Sequence, residues 1–237
     1  EGETGVPLLG AIPKLDPERG GKHLLPDRHL GLVPPEEHDR MVEVVRRLGE
    51  VMKERTDLDA LLGAARSAGP LDAVPDAPEA NDRASCDEVV PVRVGVFMDS
   101  AFTFYYPENL ESLADAGAQI VPVSALNDPH LPEIDLLYIG GGFPETHAAA
   151  LAGNRSLIDS VVVAVNDGLP VYAECGGLIW LSRSVTWQGK TAAMAGVLGV
   201  DIVVEERPQG HGYTEMVVDD ANPFFAPGTV LRGHEFH

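Results

Sequence analysis

From residue 92 onward the chain alternates short β-branched apolar runs with segments of helical spacing, and few folds accommodate that rhythm. Residues 92–98 read as a strand, 107–116 as a helix ended by Gly117, 119–123 as a strand, and 135–139 as a strand running into Gly140, Gly141 and Gly142. Helices are expected at about 144–151 and 156–166, a strand at 169–173 and a helix from Gly177. Strands separated by helix-length crossovers form a parallel sheet, and a parallel sheet is covered on both faces. The expected fold is therefore α/β, a mostly parallel sheet flanked by helices. Beyond Met194 the runs at 196–205, 213–219 and 230–237 alternate or are β-branched, which predicts mainly antiparallel strands at the C-terminal end.

Upstream the pattern is different. Residues 69–91 hold four prolines and six acidic residues with no apolar periodicity, the composition of an inter-domain linker. Before it, 6–12 reads as a short strand, Pro34, Pro35, Glu36 and Glu37 as a helix start, and Met41, Val44, Val45, Leu48, Val51 and Met52 recur at helical spacing. Thr56 and Asp59 resemble a capping box for a second helix. One strand and two helices bury too little to stand alone, so residues 1–68 are expected to be the tail of a larger domain.

Composition narrows the function. With 44% hydrophobic and 23% charged residues the chain can bury a core. Its 37 acidic against 17 basic residues give a net charge of −20, which repels phosphate backbones and anionic headgroups, so neither nucleic acid nor membrane is an expected partner. No apolar run approaches the roughly 20 residues that span a bilayer. Two cysteines, Cys86 and Cys175, make no disulfide framework, which points to the cytoplasm.

The stretch Val171-Tyr-Ala-Glu-Cys175-Gly-Gly-Leu-Ile carries the most chemistry. A strand running straight into cysteine, two glycines and a helix is the geometry of a nucleophile elbow: the tight turn exposes the side chain, small neighbours permit the strain, and a helix N-terminus favours thiolate. Taken alone, a cysteine among apolar residues is more often an inert core side chain. Gly140, Gly141 and Gly142 end a strand at the sheet edge that carries ligands in open α/β folds, where backbone N–H groups can be aimed at a developing oxyanion. They serve equally as a tight turn. The chain ends Arg232-Gly-His234-Glu235-Phe-His237, two histidines and a carboxylate on one predicted strand, with His234 and Phe236 on one face and Glu235 and His237 on the other. Histidine is the usual base for a cysteine nucleophile. A phosphate loop, a Gly-x-Ser nucleophile, an HExxH helix and a CxxC pair are all absent from the sequence, and no metal site is expected in it. The remaining histidines, His147 among them, are scattered and are expected to be solvated or locally hydrogen-bonded.

Four segments in order, Asp99-Ser-Ala-Phe-Thr-Phe-Tyr-Tyr-Pro-Glu-Asn-Leu, Gly140-Gly-Gly-Phe-Pro-Glu, Ala173-Glu-Cys-Gly-Gly-Leu and Arg232-Gly-His-Glu-Phe-His, resemble the cobyrinic acid a,c-diamide synthase family. Upstream, Leu25-Pro-Asp-Arg-His-Leu-Gly-Leu resembles the end of that family's ATP-binding domain. The resemblance implies a class I, triad-type glutamine amidotransferase domain of flavodoxin-like fold behind an ATP-dependent amide ligase of dethiobiotin-synthetase-like fold. On this basis 1–68 are expected to be the remnant of a P-loop ligase domain, 69–91 the linker and 92–237 the glutaminase. Carried over by motif, Cys175 would be the nucleophile and His237 its base. Glu235 would be a candidate third member, although it does not lie two residues after the histidine as in many relatives. Backbone N–H groups of Gly141 or Gly142 and of Gly176 would line the oxyanion site and bind glutamine. ATP and Mg²⁺ would be bound by the N-terminal domain, and no cofactor by this chain. The partners implied are L-glutamine, a tetrapyrrole polycarboxylate and the N-terminal domain of the same polypeptide, and a homodimer is also expected. The same chemistry on sirohaem or nickel sirohydrochlorin, a cysteine hydrolase of the DJ-1 type and a non-catalytic binding module remain as alternatives.

Overall fold

The structure is a computed structural model, and it describes residues 5–13, 33, 40–70 and 91–237. The chain divides into two units, Glu1–Val89 and Val90–His237. In the first, α1 (Met41–Arg55) and α2 (Leu58–Arg66) follow one another. Among the described residues, the stretch expected as a strand at 6–12 forms only a single bridge, Gly10 to Thr56. The cap of α2 is Asp57, whose carboxylate accepts from Ala60 N–H at 2.9 Å. This replaces the expected Thr56 and Asp59 box, since a cap must sit immediately before the first helical residue. Pro34 to Glu37, the segment Leu25-Pro-Asp-Arg-His-Leu-Gly-Leu and the core of the expected linker lie outside the described residues.

In the second unit four strands, β1 (Arg93–Phe97), β2 (Gln119–Val123), β3 (Leu136–Ile139) and β4 (Val171–Ala173), make a parallel sheet in the order β2-β1-β3-β4. Helix α3 (Pro107–Asp115) connects β1 to β2. A 3-10 turn (Pro144–His147), α4 (Ala148–Gly153) and α5 (Arg155–Asn166) connect β3 to β4, and α6 (Gly176–Leu181) follows β4 directly. Alternation along the strands sorts the core into two layers. Val94, Val96 and Tyr138 face α3 with Leu110, Leu113 and Ile120. Phe97, Leu137 and Ile139 face the other way and pack with Leu157, Ile158, Val161 and Trp180. The expectation of a parallel sheet covered on both faces is met.

Beyond α6 come β5 (Ser184–Trp187), β6 (Lys190–Ala193) and β7 (Asp201–Val203), ordered β6-β5-β7, and a separate ribbon of β8 (His211–Val217) and β9 (Val230–Phe236). The ribbon is antiparallel as expected, but β7 pairs with β5 in parallel, and the antiparallel β5–β6 hairpin lies before Met194, where no strand pair was expected. Among the described residues no single helix is long and apolar enough to cross a membrane.

Trp180 is 1% exposed and meets the Phe97 ring edge-on at 4.9 Å, joining α6 to β1 under the sheet. Trp180→Ala is expected to lower unfolding free energy by about 3–5 kcal/mol, through lost burial and the cavity left behind. Urea unfolding followed by far-UV circular dichroism checks this.

Candidate active site at the C-terminal edge of the sheet

Where neighbouring crossovers diverge, here between β1 and β3, an open parallel sheet has a crevice at the C-terminal ends of its strands. Three connections meet there: the loop after β1, the glycine loop after β3 and the turn after β4.

The turn after β4 is strained. Cys175 has φ 47° and ψ −106°, a left-handed backbone that L side chains rarely adopt. It is held there by two glycines. A Cβ on Gly177 would overlap the Ile139 carbonyl, and one on Gly176 would lie 3.0 Å from both Gly142 N and Pro144 Cδ. The Gly177 N–H donates to Gly140 O at 3.0 Å and Glu174 O at 2.8 Å, stitching the turn to the glycine loop. The small neighbours read from the sequence thus have specific atoms to avoid.

The glycine loop is clamped from the β1 side. Tyr105 donates its hydroxyl to Phe97 O and accepts from Gly140 N–H at 2.8 Å. A side chain on Gly140 would strike the Tyr105 ring. Phe104 N–H donates to Gly141 O at 3.1 Å, and Phe143 N–H to Ala101 O at 3.0 Å. Gly142 lies so close to Ala101 that a Cβ would overlap its carbonyl oxygen. Among the aromatic residues of this loop, Phe102 is core, Phe104 packs edge-on against Phe143 at 5.2 Å, and only Tyr106 stands open, at 74% exposure.

Two main-chain amides are aimed at the Cys175 sulfur, those of Gly176 and Gly142. Gly141 contributes contact: a Cβ there would sit 3.6 Å from that of Cys175. Although Cys175 as a residue is exposed, its side chain is edged closely enough that burial pushes the thiol above its ordinary pKa. The Glu145 and Glu174 carboxylates push the same way, and the Gly176 and Gly142 N–H groups pull against them. The expectation that the helix start makes a thiolate is corrected: α6 is only six residues long, and burial with two carboxylates outweighs it. Neither glutamate was singled out in the sequence; Glu174 adjoins the cysteine, and Glu145 is buried at 4% exposure one residue after the loop proline.

The other predicted residues lie on or just beyond β9. His237 N–H donates to Gly210 O at 2.9 Å, and the His237 carbonyl accepts from Gln209 and Gly210. The His237 ring and the Glu235 carboxylate both border Gly210, on the same face of the ribbon. His234, Phe236, His211 and Tyr213 stack on the opposite face, as alternation predicts. No hydrogen bond joins His237 to Cys175, and His237 is not among the charges acting on the thiol. The structure therefore assembles Cys175, Gly141, Gly142 and Gly176, and holds Glu235 with His237 on the ribbon. Among the described residues no group of three or more His, Cys, Asp or Glu side chains could hold a metal ion.

An open parallel α/β domain with a strained cysteine at the C-terminal edge and backbone amides converging on its sulfur defines a cysteine-elbow class of protein. More particularly, the chain belongs to the CobB/CobQ-like glutamine amidotransferase domain family, whose profile matches residues 93–237. A cobyrinate a,c-diamide synthase from Magnetococcus marinus is 42% identical over 233 residues, covering 98% of this chain and 49% of the relative. Relatives of the same name from Listeria monocytogenes and Caldanaerobacter subterraneus are each 37% identical, covering 99% and 100% of this chain and 49% and 50% of theirs. The chain thus spans about half the length of the curated relatives it matches. A solved glutamine amidotransferase aligns with 60% of this chain and 69% of its own at 22% identity and a TM-score of 0.42, a likeness too loose to bear on function.

Because the Glu174 carboxylate disfavours the thiolate, Glu174→Gln is expected to move the pH midpoint for iodoacetamide alkylation of Cys175 downward. Alkylation rates across a pH series, read on the Cys175 peptide by mass spectrometry, check the direction.

Proposed function

We propose that residues 92–237 are the glutaminase of a glutamine-dependent amide ligase that converts side-chain carboxylates of a tetrapyrrole, cobyrinic acid, to carboxamides in cobalamin biosynthesis. The observation that carries this reading is the left-handed Cys175 with the Gly142 and Gly176 amides on its sulfur. In the reaction, His237 takes the Cys175 thiol proton as Sγ attacks the side-chain amide carbon of glutamine, and the two amides take the charge that develops on its carbonyl oxygen. The C–N bond breaks as His237 delivers a proton to the departing nitrogen, ammonia leaves, and water hydrolyses the γ-glutamyl thioester to glutamate. In this scheme His237 would approach the sulfur from the end of β9, and Glu235, on the same face of the ribbon, is the candidate that orients it. The thiol's raised pKa fits this scheme, because a protonated nucleophile requires such a base.

The remaining parts follow the relatives' names and their length. Residues 1–68 are proposed to be the C-terminal remnant of an ATP-binding ligase domain and 69–91 the linker. ATP and Mg²⁺ are proposed to bind the N-terminal half that lies outside this chain, where the acceptor carboxylate is activated before ammonia reaches it. A cytoplasmic location and a homodimer complete the proposal.

Cys175→Ala in the full-length enzyme is expected to cut glutamine-dependent amidation at least about 10³-fold while leaving ammonia-dependent amidation within about twofold of the parent. His237→Ala is expected to do the same. Assays of both variants with glutamine or ammonium chloride, and with cobyrinic acid, sirohaem or nickel sirohydrochlorin as acceptor, decide the matter. Retained glutamine turnover in the Cys175 variant would sink the assignment, and turnover of another acceptor alone would redirect it.

A further inference from the structure

His147 closes the 3-10 turn Pro144–His147, and hydroxyls engage both of its ring nitrogens. Nε2 lies 2.7 Å from Ser100 Oγ, and Nδ1 lies 2.9 Å from Thr146 Oγ1. Thr146 Oγ1 also donates to the Phe143 carbonyl at 2.8 Å. A hydroxyl has one proton and a carbonyl oxygen can only accept, so the Thr146 proton is committed to Phe143. Thr146 Oγ1 can then only accept from the imidazole. In a neutral imidazole that puts the ring proton on Nδ1 and leaves Nε2 with the lone pair that takes the Ser100 hydroxyl proton. The hydrogen bonds run one way, from Ser100 through His147 and Thr146 to Phe143.

They end one residue from the amide that matters. Phe143 is gripped on both sides: its N–H donates to Ala101 O at 3.0 Å, and its carbonyl also accepts Thr146 N–H at 3.1 Å. Gly142, immediately before it, has no room to shift toward the β1 loop, because it already lies against Ala101 O. Ser100 meets the ring at Nε2, and the Nδ1 side of the ring holds the Thr146 hydroxyl that grips Phe143, next to the segment that presents Gly142 N–H to Cys175. An oxyanion donor is effective only when its direction is fixed before the reaction, and misplacement of even about 1 Å is costly. We propose that His147 is a positioning residue: acting through Thr146 and Phe143, it holds the Gly142 N–H where the substrate's carbonyl oxygen develops charge. The proposal rests on the reading of Cys175 as the glutaminase nucleophile.

Two substitutions of similar size separate the links. In His147→Asn the side-chain amide nitrogen replaces Nδ1 and can still donate to Thr146. In His147→Gln the amide reaches toward Ser100 and leaves Thr146 without its donor. In the full-length protein, His147→Asn is expected to keep kcat for glutamine hydrolysis within about threefold, and His147→Gln to lose about 10- to 100-fold in kcat with KM nearly unchanged. The pH midpoint for iodoacetamide alkylation of Cys175, read on its own peptide, should rise in His147→Gln alone, because a displaced Gly142 amide no longer favours the thiolate. Equal behaviour of the two variants, or an unmoved alkylation midpoint in His147→Gln, overturns the proposal. A parent protein that hydrolyses no glutamine would instead refute the glutaminase reading, and the alkylation midpoints would still decide whether His147 sets the Gly142 amide.

Discussion

Everything at this site depends on how closely two stretches of main chain approach, Gly140 to Gly142 after β3 and Cys175 to Gly177 after β4. The parallel register of Leu137 with Val171, Tyr138 with Tyr172 and Ile139 with Ala173 brings the two strands to the usual spacing of about 4.8 Å, and both then turn at the same level. No side chain fits between them: a Cβ on Gly177 would overlap Ile139 O, and one on Gly176 would crowd Gly142 N. The glycines are therefore steric requirements at named atoms. The unfavourable φ of Cys175, worth on the order of 1–3 kcal/mol, is offset by the hydrogen bonds from Gly177 N–H and by the packing of Trp180 one helical turn further on.

This geometry explains which features could be read in the sequence. The sheet was legible because its strands are short apolar runs separated by segments of helical spacing, and the elbow because a strand, a cysteine and two glycines are contiguous. Both are local signals. The β5–β6 hairpin went unread because its turn is Gln188-Gly189, both at positive φ, where the commoner signals are Asn-Gly or Asp-Gly. The parallel pairing of β7 with β5 depends on how far the chain returns across α6 and β6, which periodicity does not record. The stretch expected as a strand at 6–12 has the right residues, but among the described residues it makes one bridge and meets no strand. Within the site, the Ser100 to His147 hydrogen bond joins residues 47 apart, so spacing could not show that contact.

The charge at the sulfur is where sequence and structure diverge most instructively. A cysteine before a helix suggests a thiolate, yet α6 begins at Gly176 and runs only to Leu181, and burial with Glu145 and Glu174 pushes the thiol's pKa up. A neutral thiol is a weak hydrogen-bond acceptor, so it leaves the Gly142 and Gly176 amides largely unspent. A resting thiolate would instead occupy both donors and be stabilised by them, and that stabilisation would have to be surrendered when the sulfur bonds to carbon. In the proposed reaction the carboxylates that disfavour the thiolate thereby preserve both amides for the oxyanion that follows. The consequence is a nucleophile that depends on an incoming base. The ribbon that ends in His237 pairs only with itself, so its approach to the sulfur is set separately from the geometry of the elbow.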